Sequence, residues 1–221
     1  MNTQKPEKLS NSLNELEYVD LFHTVQGEGP FAGRPAVFLR LAGCNLQCKF
    51  CDTDYTSNRQ TVSVEGMVER IGQLSACRFL VITGGEPLRQ KGSVERLINK
   101  LTSNFWEVQI ETNGTLPIDH LHATVVVSPK TRIHPTCYDF PSKVYFKFLV
   151  SADTFQELDS PLDCNGIDIL PAIKVKRNVY LQPLDEGCPV KNKANTELAI
   201  SLAMQHDLNV STQLHKVWGM A

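Results

Sequence analysis

At 221 residues, with 42% hydrophobic and 21% charged side chains, the chain is long enough for one domain with a sizeable core. A formal net charge of −2 offers no basic surface to nucleic acid and no cationic face to an anionic membrane. The opening residues are polar with no signal-like apolar segment, no run reaches the roughly 20 apolar residues that span a bilayer, and seven cysteines cannot all pair, so a reducing cytoplasm is the expected compartment.

Residues 1–17, rich in Asn, Ser, Lys and Glu, are expected to be frayed, and 18–221 to form a single domain. Weak alternation over 18–22 predicts a short first strand, followed by the Gly-punctuated turn Thr24-Val-Gln-Gly-Glu-Gly-Pro30. An apolar run over 36–43 leads directly into Cys44-Asn-Leu-Gln-Cys48-Lys-Phe-Cys51. Helical spacing of Val64, Met67, Val68 and Ile71 predicts a helix over 63–74, and 79–83 reads as a fully buried strand ended by Gly84-Gly85-Glu86-Pro87. A second helix is predicted over 93–101 from Val94, Leu97, Ile98 and Leu101. Strands follow over 106–111 and 124–127, ending in Thr112-Asn-Gly and Ser128-Pro-Lys. Further strands are read over 144–150 and 179–182, a helix over 196–206 capped by Asn195, and a closing strand over 209–218.

Strands of continuous Val, Ile and Leu alternating with amphipathic helices indicate an α/β fold with a parallel sheet covered by helices. About six such units are present, fewer than a closed eight-fold barrel requires, so the expected architecture is a partial (β/α) barrel. In such folds ligands gather at the C-terminal ends of the strands. The cysteine loop, Gly84–Pro87, Glu111–Gly114, Ser128–Lys130 and Gln182–Asp185 all follow a strand. Any one of them could be ordinary turn chemistry.

Three thiols spaced C-x3-C-x2-C supply soft ligands for iron. A cubane cluster needs four ligands, so three from the protein leave one iron open. Structural zinc usually closes four protein ligands, and Cys77, Cys137, Cys164 and Cys188 stand singly with no second pair at zinc spacing. Arg40 lies inside the apolar run, where a charge needs a partner.

The cysteine spacing together with Gly-Gly-Glu-Pro resembles the radical S-adenosylmethionine enzymes. Thr24-Val-Gln-Gly-Glu-Gly, Arg40-Leu-Ala-Gly-Cys, Cys51-Asp-Thr-Asp-Tyr, Glu111-Thr-Asn-Gly, Ser128-Pro-Lys and Gln213-Leu-His-Lys narrow the likeness, from about residue 18 to 221. They resemble the lyases of that superfamily that contract 6-carboxy-5,6,7,8-tetrahydropterin to a deazaguanine in queuosine biosynthesis, with loss of ammonia. The likeness departs at Leu214, where a threonine is expected, and in the longer N-terminal extension.

That resemblance implies a 4Fe-4S cluster on Cys44, Cys48 and Cys51, with S-adenosylmethionine on its open iron and a radical supplied by the cofactor. It assigns Phe50, Cys51, Asp52, Gly85, Ser128, Pro129, Lys130, Gln182, Pro183, Leu184 and Asp185 to S-adenosylmethionine. Val25, Gln26, Gly27, Arg40, Thr83 and Ala221 are assigned to the pterin, and Thr53 to Mg2+. His215 and Lys216 are either a basic rim for the substrate or a solvated strand end. A homodimer and an electron donor such as flavodoxin are expected. Two other readings compete: an enzyme that installs a glycyl radical on a protein, which needs an exposed groove, and a non-catalytic zinc- or iron-binding module.

Overall fold

The computed structural model describes residues 3–74, 76–139, 143–153 and 176–220. They fall into two compact units, one comprising Met1–Gln26, Arg34–Thr112 and Ile118–Val125, the other Gly27–Gly33, Asn113–Pro117 and Val126–Ala221.

The first unit is a mixed sheet in the order β3-β1-β2-β4-β5. β1 (Glu15–Val25) runs antiparallel to β2 (Pro35–Leu41), from Tyr18 opposite Leu41 to Val25 opposite Pro35. The connection between them is too short for a crossover, which is why this pair departs from the expected parallel sheet. β3 (Gln60–Ser63) pairs with the outer edge of β1. It escaped sequence reading because an edge strand can carry Gln, Thr and Ser with a single apolar residue. β2, β4 (Phe79–Gly84) and β5 (Glu107–Thr112) are parallel, with Leu41 beside Gly84 and Ile82 beside Ile110. Phe79, Leu80, Val81 and Ile82 are all at most 1% exposed, as the continuous apolar run requires of a strand covered on both faces. The covering helices are α1 (Val64–Leu74) and α2 (Lys91–Thr102), which bury Val64, Met67 and Ile71, and Val94, Leu97, Ile98 and Leu101.

Residues 3–17, read from sequence as frayed, are tied down. Ser93 Oγ donates to the Ser12 carbonyl at 2.9 Å, the Ser10 amide to the Arg89 carbonyl at 2.7 Å, and β1 already begins at Glu15 with Leu16 fully buried. Polar composition gives little sign of these contacts, because most of them are hydrogen bonds.

β6 (Thr124–Val127) is shared between the units. In the second unit β7 (Val144–Val150), β8 (Val179–Pro183) and the two-residue β9 (Asn209–Val210) are parallel neighbours. Phe146 and Phe148 stack at 6.3 Å in its core. α3 (Pro189–His206) starts seven residues before the predicted 196, with Pro at its first position where a missing N–H is harmless. Asn195 is therefore not a cap. It lies inside the helix at 1% exposure, accepting from the Ala152 amide at 2.7 Å and donating to the Leu184 carbonyl at 2.8 Å. Lys191, Asn192 and Lys193 hid this first turn by their polarity. The predicted closing strand ends at Val210, and Leu214–Val217 forms a short helix, α4, instead. The six strands β2 and β4–β8 stand where six units are expected. Among the described residues only the β3–β4, β4–β5 and β8–β9 connections carry an α-helix.

Candidate active site

Parallel pairing of β2 and β4 brings the loops that follow them together within the first unit. The loop after β2 carries the three cysteines, and its mouth is closed by the Gly43 amide donating to the Tyr55 carbonyl at 2.9 Å. The Gly85 amide donates to the Leu41 carbonyl at 3.2 Å, and the Glu86 amide to the Gly43 carbonyl at 2.9 Å, so the loop after β4 is sewn to its start. Cys44 is buried, whereas Cys48 and Cys51 are half-buried. Burial pushes the Cys44 thiol up to about 11; the Leu46 amide eases this, and the negative charges of Glu86, Cys48 and Cys51 add to it. Thiolates crowded this way call for a cationic partner. The donor set fits an iron–sulfur cluster, in which each thiolate binds a different iron. It does not fit a lone ion: among the described residues no three His, Cys, Asp or Glu side chains converge on one point.

Gly84 and Gly85 are required by the approach of backbone to backbone. Gly84 has φ +131, and a Cβ there would lie 2.2 Å from the Leu41 carbonyl oxygen. At Gly85 it would lie 2.0 Å from that of Gly43 and 3.0 Å from Cys44 Cβ. Glu86 is fully buried; its carboxylate accepts from the Leu88 amide at 3.0 Å and the Thr112 hydroxyl at 2.7 Å, tying the end of β4 to the end of β5.

Beside this lies a polar group in the same unit. Gln26, following Val25 at the end of β1, is 2% exposed and donates to Glu111 Oε1 at 3.0 Å. Gln109 donates to the same oxygen at 3.0 Å, and the Thr83 hydroxyl lies 3.5 Å from Oε2. The Arg40 guanidinium reaches the Thr53 hydroxyl at 3.5 Å, which in turn is 3.4 Å from Asp52 Oδ1. Phe50 is 41% exposed on the cysteine loop. Asp54 caps the turn after the loop, and hydrogen bonds from Ser57 and Thr56 hold its carboxyl well below the usual range.

The second unit holds Gly27, Ser128–Lys130 after β6, Gln182–Asp185 at the end of β8, and His215 and Lys216. Gln182 is buried and accepts from the Ser211 hydroxyl at 3.1 Å, which accepts from the Gly29 amide at 2.9 Å. Pro183 ends β8, and the Leu184 amide donates to the Val150 carbonyl at 2.8 Å. Asp185 is held low by Lys216 at 2.7 Å, the Gly187 amide at 2.9 Å and Asn192 at 2.7 Å. Lys216 is thus engaged with Asp185. Lys130 Nζ donates to the hydroxyl and, at 3.2 Å, the carbonyl of Ser128, beside the buried Pro129. Gly27 leaves room for His215, whose Nδ1 would stand 2.3 Å from a Cβ there. Ala221 lies outside the described residues.

Sequence reading missed three polar residues. Glu111 was visible only as part of a turn motif, and Gln109 had no signal. Lys147 carried the signal that singled out Arg40, a charge within the apolar run Val144–Val150. It pairs with Glu28, their side chains 6% and 14% exposed, and Gln213 donates to the other Glu28 oxygen at 2.9 Å. Burial would push the Glu28 carboxyl up; the charge and hydrogen bond of Lys147, the Gln213 amide and His215 outweigh it and hold the group well below the carboxylate range.

A three-thiol loop sewn to a Gly-Gly-Glu-Pro turn across parallel strands defines a radical SAM enzyme. A family profile described as "Radical SAM superfamily" matches residues 39–127. The chain is 32% identical over 225 residues to 7-carboxy-7-deazaguanine synthase of Rickettsia prowazekii, covering 96% of this chain and 92% of that one. It is 35% identical to the Hyperthermus butylicus protein of the same name over 236 residues, covering 96% and 97%. The crystal structure of QueE from Escherichia coli superimposes with a TM-score of 0.72 at 26% identity, covering 90% of this chain and 94% of that one. The chain belongs to the 7-carboxy-7-deazaguanine synthase family, and its fold is the partial (β/α) barrel of radical SAM enzymes.

Proposed function

We propose that the chain converts 6-carboxy-5,6,7,8-tetrahydropterin to 7-carboxy-7-deazaguanine, contracting the six-membered ring with loss of ammonia. The observation that supports this reading is the joining of Leu41 and Gly43, which lead into Cys44, to Gly85 and Glu86 by backbone hydrogen bonds, beside the Gln26–Glu111–Thr83 and Arg40–Thr53–Asp52 groups. Substrate and products balance without a net oxidant, as a lyase requires.

When bound, the cluster and S-adenosylmethionine supply a one-electron cleavage that yields a radical able to take a hydrogen atom from the substrate. The protein holds the parts in place. Cys44, Cys48 and Cys51 are the ligands, and the bare backbone of Gly84 and Gly85 lets the cofactor's methionine end approach. Phe50 and Asp52 are assigned to the same cofactor. So are Ser128, Pro129, Lys130 and Gln182–Asp185, with Asp185 offering backbone groups because its carboxylate is taken up by Lys216. Arg40 recognises the substrate carboxylate with a planar, charge-assisted fork. Val25, Gln26, Gly27 and Thr83 contact the pterin. Thr53 is a magnesium ligand, its hydroxyl held only by two long contacts; a hard oxygen donor suits that ion.

A single-electron donor of the flavodoxin type, a homodimer and a cytoplasmic location complete the proposal. No helix among the described residues is long and apolar enough to cross a membrane. The test is anaerobic turnover of the carboxytetrahydropterin by the reconstituted chain with S-adenosylmethionine, reductant and Mg2+. Iron and sulfide without deazaguanine formation would favour the glycyl-radical reading, and zinc in place of iron would favour the non-catalytic one.

A further inference from the structure

We infer that residues 4–12 form a strap that positions the cluster loop, with Gln4 as the positioning residue; this rests on the reading of Cys44, Cys48 and Cys51 as cluster ligands. Residues 42–59 contain neither helix nor strand, so this long loop cannot set its own geometry and its backbone groups need partners from elsewhere. Gln4 supplies them at one end. Its Nε2 donates to the Thr53 carbonyl at 2.9 Å, and its Oε1 accepts from the Tyr55 amide at 2.9 Å and the Thr56 hydroxyl at 3.1 Å. One side-chain amide thus does for Thr53–Thr56 what a neighbouring strand would do.

Glu7 holds the other end. Its amide donates to the Cys44 carbonyl at 2.7 Å, and its carboxylate pairs with Arg59 and lies 3.6 Å from the Arg89 guanidinium. Between the two contacts stands Pro6, which fixes its own φ and biases Lys5 to an extended backbone, so the span between the contacts is stiff. Beyond them the strap is anchored by the Ser10 and Ser12 bonds to Arg89 and Ser93. It therefore ties the first cluster ligand to the far end of the loop, where Tyr55 also meets Gly43. A segment that merely covered apolar surface would not aim its amides at loop backbone in this way.

The experiment compares reconstituted full-length wild type, Gln4→Ala and Lys5→Ala, the last an exposed neighbour. Loss of the iron–thiolate absorbance to an iron chelator is timed under anaerobic conditions, and the melting temperature of each chain is measured with and without its cluster. Removing the Gln4 contacts should speed cluster loss by about tenfold and leave the cluster-free melting temperature unchanged; Lys5→Ala should match wild type. Equal loss rates in wild type and Gln4→Ala would overturn the inference. So would a cluster-free melting temperature that falls as far as that of the loaded chain, because Gln4 would then support the fold at large. Wild type that takes up no iron and sulfide would instead sink the cluster reading on which the strap depends, a failure distinguishable from the other two.

Discussion

Lys147→Met removes the cation of the buried Glu28 pair while keeping most of the side-chain volume. Both partners are nearly inaccessible, at 6% and 14% exposure, so solvent screens the pair little. Stripping one member from such a pair costs about 3–5 kcal/mol, because the remaining carboxylate stays desolvated. The Gln213 hydrogen bond remains, which places the expected loss near the lower figure. For a chain of this size that lowers Tm by about 10 °C. Replacing both members, as in Glu28→Gln with Lys147→Met, leaves no buried charge and should recover most of the loss.

The pH dependence has a definite sign. Glu28 is held below its usual value in the folded chain, so its stabilisation is complete above the unfolded value of 4.5 and fades as pH falls toward about 2. The gap between wild type and Lys147→Met should therefore be full at neutral pH and should narrow in acid, as Glu28 takes up a proton and no longer needs its cation. Thermal melts of the cluster-free proteins across that range provide the assay. A Lys147→Met variant that melts with wild type at neutral pH would refute the account, as would a gap that widens in acid.

Other outcomes follow from the cysteine loop and its neighbours. Ala at Cys44, Cys48 or Cys51 should abolish the iron–thiolate absorbance of the reconstituted protein, and Ala at Cys137 or Cys188 should preserve it; a colourless Cys188→Ala would reassign the ligands. Gly85→Ala should disrupt cluster assembly, since its Cβ meets a carbonyl oxygen at 2.0 Å and that atom is backbone; iron content measures this. Arg40→Lys keeps the charge but loses the planar fork, so the KM for the pterin should rise about tenfold or more while uncoupled S-adenosylmethionine cleavage persists. Thr53→Ala should lose the Mg2+ response of turnover and Thr53→Ser should keep it; equal responses in all three proteins would remove Thr53 from the metal site.

What the sequence shows plainly is what short spacing encodes. The C-x3-C-x2-C loop, Gly84-Gly85 and the buried run 79–83 are local patterns whose chemistry or periodicity admits few alternatives. Elements held by distant partners were harder to read. β3 exists because β1 offers it an edge, and the start of α3 carries Lys191, Asn192 and Lys193 ahead of an Asn195 buried by bonds to Ala152 and Leu184. The same holds for the strap, whose Gln4 meets residues some fifty positions away. Arg40 and Lys147 show the two outcomes of a single cue: each is a charge inside an apolar strand. Only the first also sat beside a recognisable motif, and it alone was singled out.

The burial of Cys44 links these observations. A thiol pushed up to about 11 by its surroundings is a poor place for negative charge, yet cluster ligation requires the thiolate. The chain does not relieve this by exposing the residue. The flanking backbone is fixed instead: the Cys44 carbonyl by Glu7, the Gly43 carbonyl by Glu86, and the Gly43 amide by Tyr55. The strap, the turn after β4 and Tyr55 thus hold the backbone on each side of the buried thiol. Under the proposed ligation, charge compensation comes from the iron, which makes retention of the cluster a property of the frame around the loop as much as of the three cysteines.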